Sequence, residues 1–190
     1  GRVVRMLSAV TRPDGTPMES DPRYILKQAM AEAEAAGYAF YFGAEQEFYL
    51  FRLDADGKPT KIPADTAGYM DIAPEDRGEN VRREICLTLE QMGVRPESSH
   101  HEEGPGQNEI DFRYADALTA ADQAMIFQTA VKTVADRSGY HADFSAKPLR
   151  DAPGNGFHVN MSVRPAQNEA VFGSMIAGVL DKIAEMTVFL

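Results

Sequence analysis

The amino-acid sequence predicts an α+β fold in which helices flank an antiparallel β-sheet. Segments with the periodicity of strands and of helices alternate loosely along the 190 residues. Most of the predicted strands alternate apolar and polar residues with a period of two, which is typical of antiparallel sheets that bury one face. Hydrophobic residues make up 44% of the chain and charged residues 25%, so the composition is that of a globular domain with a core.

The N-terminal segment is predicted to contain a strand and a helix. The residues from Arg2 to Val10 are rich in valine, leucine and methionine, which favours a strand, and Pro13-Asp14-Gly15 then indicates a turn. Asp21 and Pro22 are the residue types of a helix N-cap and of a first helical position. We therefore expect a helix over residues 22–36, which is followed by a glycine.

A long strand, a loop and a second helix are predicted next. Ala39 to Leu53 has the composition of a strand, and Asp56-Gly57 is a turn signal shortly after it. The stretch from Lys58 to Asn80 has no steady period, so we expect a long loop, and long loops in compact domains are often functional. Asn80 to Met92 has helical spacing and ends before a glycine.

The rest of the chain is predicted to contain further strands and two longer helices. The run from Glu103 to Gln107 contains two glycines and a proline, which indicates a turn between two strands. The predicted elements are strands over Glu97–Glu102, Asn108–Tyr114, Tyr140–Ser145 and Phe157–Val163, and helices over Ala117–Ser138 and Glu169–Phe189.

The charge argues against two classes of partner, and the cysteine content bears on disulfides and location. With 29 acidic and 19 basic residues the net charge is −10, which argues against nucleic acid or an anionic membrane as a partner. Cys86 is the single cysteine, so no internal disulfide can form and a cytoplasmic location is expected. No apolar run approaches the roughly 20 residues of a membrane-spanning helix.

Four of the predicted strands each have one polar and one apolar face, because residues i and i+2 of a strand share a face. Carboxylates and imidazoles are frequent on the polar faces. The residues that share such a face are Glu45 with Glu47, His100 with Glu102, Glu109 with Asp111 and Arg113, and His158 with Asn160 and Ser162.

Two interpretations of these polar faces are open from the residues alone. They are either the solvent side of half-buried strands or parts of a metal site. Glu45 and Glu47 would lie about 7 Å apart on one strand, and neighbouring like charges destabilise a sheet unless a cation lies between them. Carboxylates with one or two imidazoles suit hard divalent ions such as Mg²⁺ or Mn²⁺.

Several motifs together resemble the catalytic domain of the glutamine synthetase family. The resemblance covers nearly the whole chain, with the motifs in the family's order. They are Gly43-Ala44-Glu45-Gln46-Glu47-Phe48, His100-His101-Glu102 followed by Gly106-Gln107-Asn108-Glu109, and Lys147-Pro148 followed by Gly154-Asn155-Gly156-Phe157-His158.

The resemblance implies a fold and a reaction. The expected fold is a curved antiparallel β-sheet, a partial barrel, with flanking helices. Members of this family use ATP to phosphorylate the side-chain carboxylate of glutamate, and ammonia or another amine attacks the resulting γ-glutamyl phosphate. Two divalent ions, Mg²⁺ or Mn²⁺, organise the site. Such ions neutralise phosphate oxygens in phosphoryl transfer, while the protein mainly positions the reactants.

The resemblance also implies roles for particular residues. Glu102 is expected to have a catalytic role in binding or deprotonating the ammonium ion. The expected metal ligands are Glu47, Glu102 and Glu109 for the first ion, and Glu45 and His158 for the second. The expected glutamate-binding residues are Glu47, Gly154 and His158, and the ATP-contacting positions are Glu97, Tyr114, Asn160 and Ser162.

Two positions depart from the family pattern and keep an alternative open. Asn160 stands where the family usually has a histidine that contacts ATP phosphate, and Pro153 stands where an asparagine is common. Asparagine donates hydrogen bonds but carries no positive charge. The alternative is therefore a non-catalytic, metal-binding relative of glutamine synthetase. A third class, the wider carboxylate–amine ligases and guanidino kinases, is disfavoured by the run Gly106 to Glu109.

Parts of the family's machinery have no counterpart in these 190 residues. They are the N-terminal β-grasp domain, the downstream arginines, the glutamate flap and the last carboxylate ligand of the second metal. We therefore expect the chain to be the first half of the catalytic domain. The resemblance implies that the full-length protein is a homo-oligomeric double ring with its sites between subunits.

Overall fold

The computed structural model describes residues 4–165 and 169–188. The strands are β1 (Ala39–Leu53), β2 (Pro59–Pro63), β3 (Pro96–His101), β4 (Gln107–Phe112), β5 (Ala115–Asp116), β6 (Tyr140–Asp143) and β7 (Phe157–Arg164). The helices are α1 (Pro22–Ala35), α2 (Glu79–Gln91), α3 (Ala117–Arg137) and α4 (Glu169–Met186). Within these described ranges, none of the helices combines the length and the hydropathy that a membrane span needs.

The described strands form one curled antiparallel sheet that is centred on β1. β4 pairs with the middle of β1 and with β3, while β2, β5, β6 and β7 also pair with β1. Tyr49 of β1 lies opposite Gln107 of β4 on one side and opposite Asp143 of β6 on the other. The predicted α+β fold, with a curved antiparallel sheet and flanking helices, is confirmed.

The chain divides into two compact units. The first contains residues up to 8 and 42–160, and the second contains residues 9–41 and those from 161 on. In the second unit, Asp21 caps α1 by accepting a hydrogen bond from the Arg23 amide at 3.2 Å, and it also accepts one from the Val10 amide at 3.1 Å. The guanidinium of Arg164 lies 4.8 Å from the ring centroid of Tyr41.

The core of the first unit lies between one face of the sheet and the helices α2 and α3. Phe48 and Ile110 come from the apolar faces of β1 and β4 and are fully buried, as is Phe127 of α3. The rings of Phe48 and Phe127 meet edge to face, with centroids 6.3 Å apart. Because strand side chains alternate, burial of these residues directs Glu45, Glu47 and Glu109 to the opposite face of the sheet.

Most of the predicted elements form at or near their predicted bounds. The helices α1, α2 and α3 and the strand β1 match within one residue. The predicted end of the last helix, Phe189, lies outside the described residues.

Two predictions about secondary structure were wrong. Residues 4–10, within the predicted strand Arg2–Val10, have no regular structure, and Val4 and Met6 are more than 80% exposed. The predicted loop over 58–80 contains β2, which pairs with the end of β1 across the predicted Asp56-Gly57 turn. The prolines at both ends of β2 concealed this short strand, because proline lowers a strand prediction.

Candidate metal and substrate site

The polar face of the sheet carries two rows of side chains in register across three strands. Glu47 of β1 lies opposite Glu109 of β4, which lies opposite His100 of β3. In the neighbouring row, Glu45 lies opposite Asp111. Carboxylates that face each other directly across strands repel, so this face carries an electrostatic cost that an ordinary solvent-facing sheet avoids.

The ligating atoms in this region form two groups, each within 4.8 Å. One group consists of Glu45, Glu109 and His158, and the other of His100, Glu102 and Glu109. His100 Nε2 lies 2.9 Å from Glu102 Oε1 and 3.2 Å from Glu109 Oε2. Glu109 therefore belongs to both groups and lies between them. Glu102 lies one residue beyond the end of β3 rather than within the strand.

Glu109 has a strongly perturbed titration. Burial raises the pKa of its carboxyl to about 9, together with a hydrogen bond to Glu102 and repulsion from Asp111, Glu102 and Glu47. A carboxyl with such a pKa holds a proton at neutral pH when no cation is present. Carboxylate oxygens and imidazole nitrogens are suitable donors for a hard divalent cation, so the donor set fits the metal that the motifs imply.

Glu47 is held by a glutamine and belongs to neither group of ligating atoms among the described residues. Gln107 Nε2 donates to Glu47 Oε2 at 2.7 Å and to the Gly154 carbonyl at 3.0 Å. The side-chain oxygen of Gln107 accepts a hydrogen bond from the Gly104 amide at 2.9 Å. Gln107 is 1% exposed and orients Glu47 from the side. Sequence reasoning assigned it no role, although it continues the alternation of Glu109 and Asp111.

The loop that contains Gly154 is fixed against the same face. The Tyr49 hydroxyl donates to the Pro153 carbonyl at 2.7 Å, and the Glu47 amide donates to the Gly156 carbonyl at 3.1 Å. A Cβ atom at Gly154 would lie 2.6 Å from the Ala146 carbonyl oxygen. Only glycine fits there without a shift of the backbone. The contact from Tyr49 uses the carbonyl of residue 153, which any residue type provides.

The four predicted ATP-contacting residues lie in different surroundings. Asn160 Nδ2 donates to Glu45 Oε1 at 2.5 Å, beside His158 Nδ1, which lies 3.2 Å from Glu45 Oε2. Tyr114 is 48% exposed and lies beside Gly43. A Cβ added at Gly43 would be 3.6 Å from the Cβ of Tyr114.

The other two are exposed on strands. Glu97 is on β3, and Ser162 is on β7 in the second unit. The structure therefore brings Asn160 to the carboxylate face, and the roles of all four residues stay predictions.

Comparison with known proteins places the chain in a family. Residues 19–190 match the family model described as "Glutamine synthetase, catalytic domain". The chain belongs to the glutamine synthetase family. It is 52% identical over 163 residues to a glutamine synthetase of Clostridium saccharobutylicum. The matched residues are 86% of this chain and 37% of that protein. It is 49% identical over 173 residues to a glutamine synthetase of Staphylococcus aureus, covering 90% and 39%.

Solved structures of glutamine synthetase relatives have the same fold. A glutamine synthetase structure from Plasmodium falciparum has a TM-score of 0.73 at 27% identity, and covers 85% of this chain and 37% of that one. A GmaS structure in complex with ADP has a TM-score of 0.70 at 36% identity, covering 79% and 35%. The chain thus spans less than two fifths of the length of these glutamine synthetase relatives.

Proposed function

We propose that this chain supplies part of the active site of an ATP-dependent glutamate–ammonia ligase, or of a ligase that uses another amine. The observation that carries the proposal is the convergence of carboxylates and imidazoles on one face of the sheet, with Glu109 shared by two groups. The glutamine synthetase relatives support the class of reaction. The ADP complex of GmaS supports a nucleotide as a substrate.

Two divalent cations, Mg²⁺ or Mn²⁺, would be held by the acidic face. Glu45, His158 and Glu109 would hold one cation. Glu102, Glu109 and His100, whose ligating atoms also lie within 4.8 Å of one another, would hold the other. The motif match assigns Glu47 to the first cation, and Gln107 holds its carboxylate in place. When bound, a divalent cation neutralises phosphate oxygens and lets anionic reactants approach each other.

The residues of this chain would bind and orient the reactants. In the proposed reaction ATP phosphorylates the glutamate side chain, and an amine then displaces phosphate from γ-glutamyl phosphate. Glu102 would accept a proton from bound ammonium, and the ammonia released in this way would attack γ-glutamyl phosphate. Gly154 and His158, with Glu47, would position glutamate. The motif match assigns Glu97, Tyr114, Asn160 and Ser162 to ATP binding. The remaining groups would come from parts of the protein outside these 190 residues, including other subunits of a ring.

Titration of the 190-residue chain with Mn²⁺ tests the proposed metal site. The wild type is expected to bind Mn²⁺ weakly, and the double variant Glu47→Ala, Glu109→Ala is expected to lose that binding. A matched control is Glu79→Ala, Glu84→Ala, since both of those carboxylates are only partly buried on α2, where they pair with arginines. Identical isotherms for the wild type and for the Glu47, Glu109 variant would refute the site.

A non-catalytic relative is the second candidate, and the surroundings of Asn160 favour it. The neutral amide of Asn160 donates to Glu45 at the position where the family's histidine is expected. An assay of the full-length protein with ATP, glutamate, Mn²⁺ and an amine separates the two candidates. ADP formation that depends on both glutamate and amine, and that Glu102→Ala abolishes, supports the ligase. Binding of Mn²⁺ without ADP formation supports the non-catalytic relative.

A further inference from the structure

A buried network behind the acidic face holds the turn that carries Glu102. This turn runs from Glu102 to Gln107 and connects β3 with β4. The Glu102 amide donates to the Gln107 carbonyl at 2.9 Å, and the Gln107 amide donates to the Gly104 carbonyl at 2.9 Å. These two bonds close the turn. They do not involve the carbonyl of Glu102, whose side chain is a proposed metal ligand.

His101 fixes that carbonyl. Its side chain is fully buried, on the side of β3 opposite His100. His101 Nδ1 lies 2.6 Å from the Glu102 carbonyl oxygen, and Nε2 lies 3.0 Å from Asp65 Oδ1. Because a carbonyl oxygen only accepts hydrogen bonds, Nδ1 must carry a proton. The imidazole therefore connects the backbone of Glu102 to a buried carboxylate in the 58–80 segment.

Asp65 holds the other end of the same turn. Its Oδ1 atom also accepts a hydrogen bond from the Gly106 amide at 2.9 Å, and its Oδ2 atom accepts one from the Arg77 amide at 2.9 Å. Gly106 has φ of +67°, and an added Cβ would lie 2.9 Å from the Leu50 carbonyl oxygen. One carboxylate thus contacts Gly106 directly and Glu102 through His101.

This network is not itself a cation site, although Asp65, Asp76 and His101 place three ligating atoms within 4.8 Å. The guanidinium of Arg82 already pairs with the Asp76 carboxylate, with Nη2 2.6 Å from Oδ2 and Nη1 3.2 Å from Oδ1. Asp65 Oδ1 is engaged by His101 and by backbone amides. A metal would have to displace a positive charge and several hydrogen bonds, so these groups act as structural partners.

We infer that Asp65 and His101 are positioning residues that set the orientation of Glu102 toward the acidic face. The inference rests on the proposed function for the role of Glu102, and it adds a support that lies behind the site. Residues that hydrogen-bond to metal ligands from outside typically change metal affinity about 10–100-fold when they are replaced. The expected effect of losing either residue is therefore a weaker cation site.

Metal affinity of the 190-residue chain gives the first test, with Mn²⁺ alone as the probe and its EPR signal as the readout. Asp65→Asn and His101→Phe are expected to weaken Mn²⁺ binding about 10–100-fold. Leu89→Ala is the matched control, because it opens a cavity in the core on α2 and destabilises the fold without touching the turn. Wild-type affinity in Asp65→Asn, or an equal loss in Leu89→Ala, would overturn the inference.

Hydrogen exchange of the metal-free chain gives the second test and keeps the two proposals separate. In Asp65→Asn the amides of Gly104, Gly106 and Gln107 are expected to exchange faster, while the amides of α3 keep their protection. If the wild type binds no Mn²⁺, the proposed metal site fails. The positioning of the turn is then judged by exchange alone, and unchanged protection of the Gly106 amide would overturn it.

Discussion

The buried ion pair between Arg82 and Asp76 leads to a quantitative prediction about stability. The Arg82 side chain is 5% exposed and that of Asp76 is 1% exposed. The guanidinium makes two contacts to Asp76, donates to Asn108 Oδ1 at 2.6 Å and donates from Nε to Ser99 Oγ at 3.2 Å. The substitution Arg82→Met keeps most of the apolar volume and removes all of these donors.

The expected cost follows from what remains buried. After the substitution, the Asp76 carboxylate keeps the Gly78 amide at 2.8 Å, and the Asn108 side-chain oxygen loses its Arg82 donor. Removing one partner of a buried ion pair costs about 3–5 kcal/mol, because the other charge stays desolvated. We expect a loss of this size in the free energy of unfolding, which is a large part of the roughly 5–15 kcal/mol of a typical domain.

Urea unfolding at pH 7 measures this loss, and the chain contains a matched control. Arg137 and Glu84 form a similar pair at 3.1 Å, but their side chains are 67% and 46% exposed. Exposed pairs contribute about 0–1 kcal/mol, so Arg137→Met is expected to have little effect. The double variant Arg82→Met, Asp76→Asn should recover part of the loss. Equal midpoints for Arg82→Met and Arg137→Met would refute the reasoning.

Three further predictions follow. Gly106→Ala should cost more than Gly57→Ala, because both glycines have positive φ but only at Gly106 would a Cβ meet backbone atoms at 2.9 Å; denaturation midpoints check this. Burial alone would raise the pKa of Asp143, but hydrogen bonds from Ser145 and Lys61 lower it to about 2. Its stabilisation is thus fully present above the unfolded value of 3.8 and is lost as the pH falls through about 2. Asp143→Asn should therefore lower the melting temperature at pH 7 and do so much less at pH 2. Finally, the 190-residue chain alone should form no measurable glutamine from ATP, glutamate, ammonium and Mn²⁺. The downstream arginines that the resemblance implies have no counterpart in these residues, and loss of one well-placed electrostatic group commonly costs about 10²–10³-fold in rate. Glutamine formation that Glu102→Ala abolishes would contradict this.

The acidic face could be predicted from the sequence because it depends on the strongest local signal, the two-residue period of strands. That period places Glu45 with Glu47 and Glu109 with Asp111, and the register between β1 and β4 then brings these pairs together. The cross-strand contacts themselves could not be predicted from periodicity, since register depends on the pairing of distant segments.

The network behind the face could not be predicted, because its members have no common pattern. Asp65 and Asp76 lie in a segment without a steady period, and their partners His101 and Arg82 lie on a strand and on a helix. His101 offered one weak signal, since an alternating strand directs it away from His100 and Glu102. The wrong prediction of a strand over residues 4–10 has the opposite cause. The composition of this segment is that of a strand, but the segment is not among the strands of the described sheet.

The central position of β1 has a consequence for how the chain acquires its structure. β2 follows β1 directly in the sequence and pairs with one edge of it. The other edge of β1 pairs with β6, in which Asp143 lies opposite Tyr49. At roughly 5–20 residues per second, a ribosome needs on the order of ten seconds to make the intervening segment. During that time one edge of the longest strand, with Leu50 and Phe51, has no partner from β6. Unpaired apolar edges promote aggregation, so newly made chains are expected to need a chaperone most at this stage of synthesis.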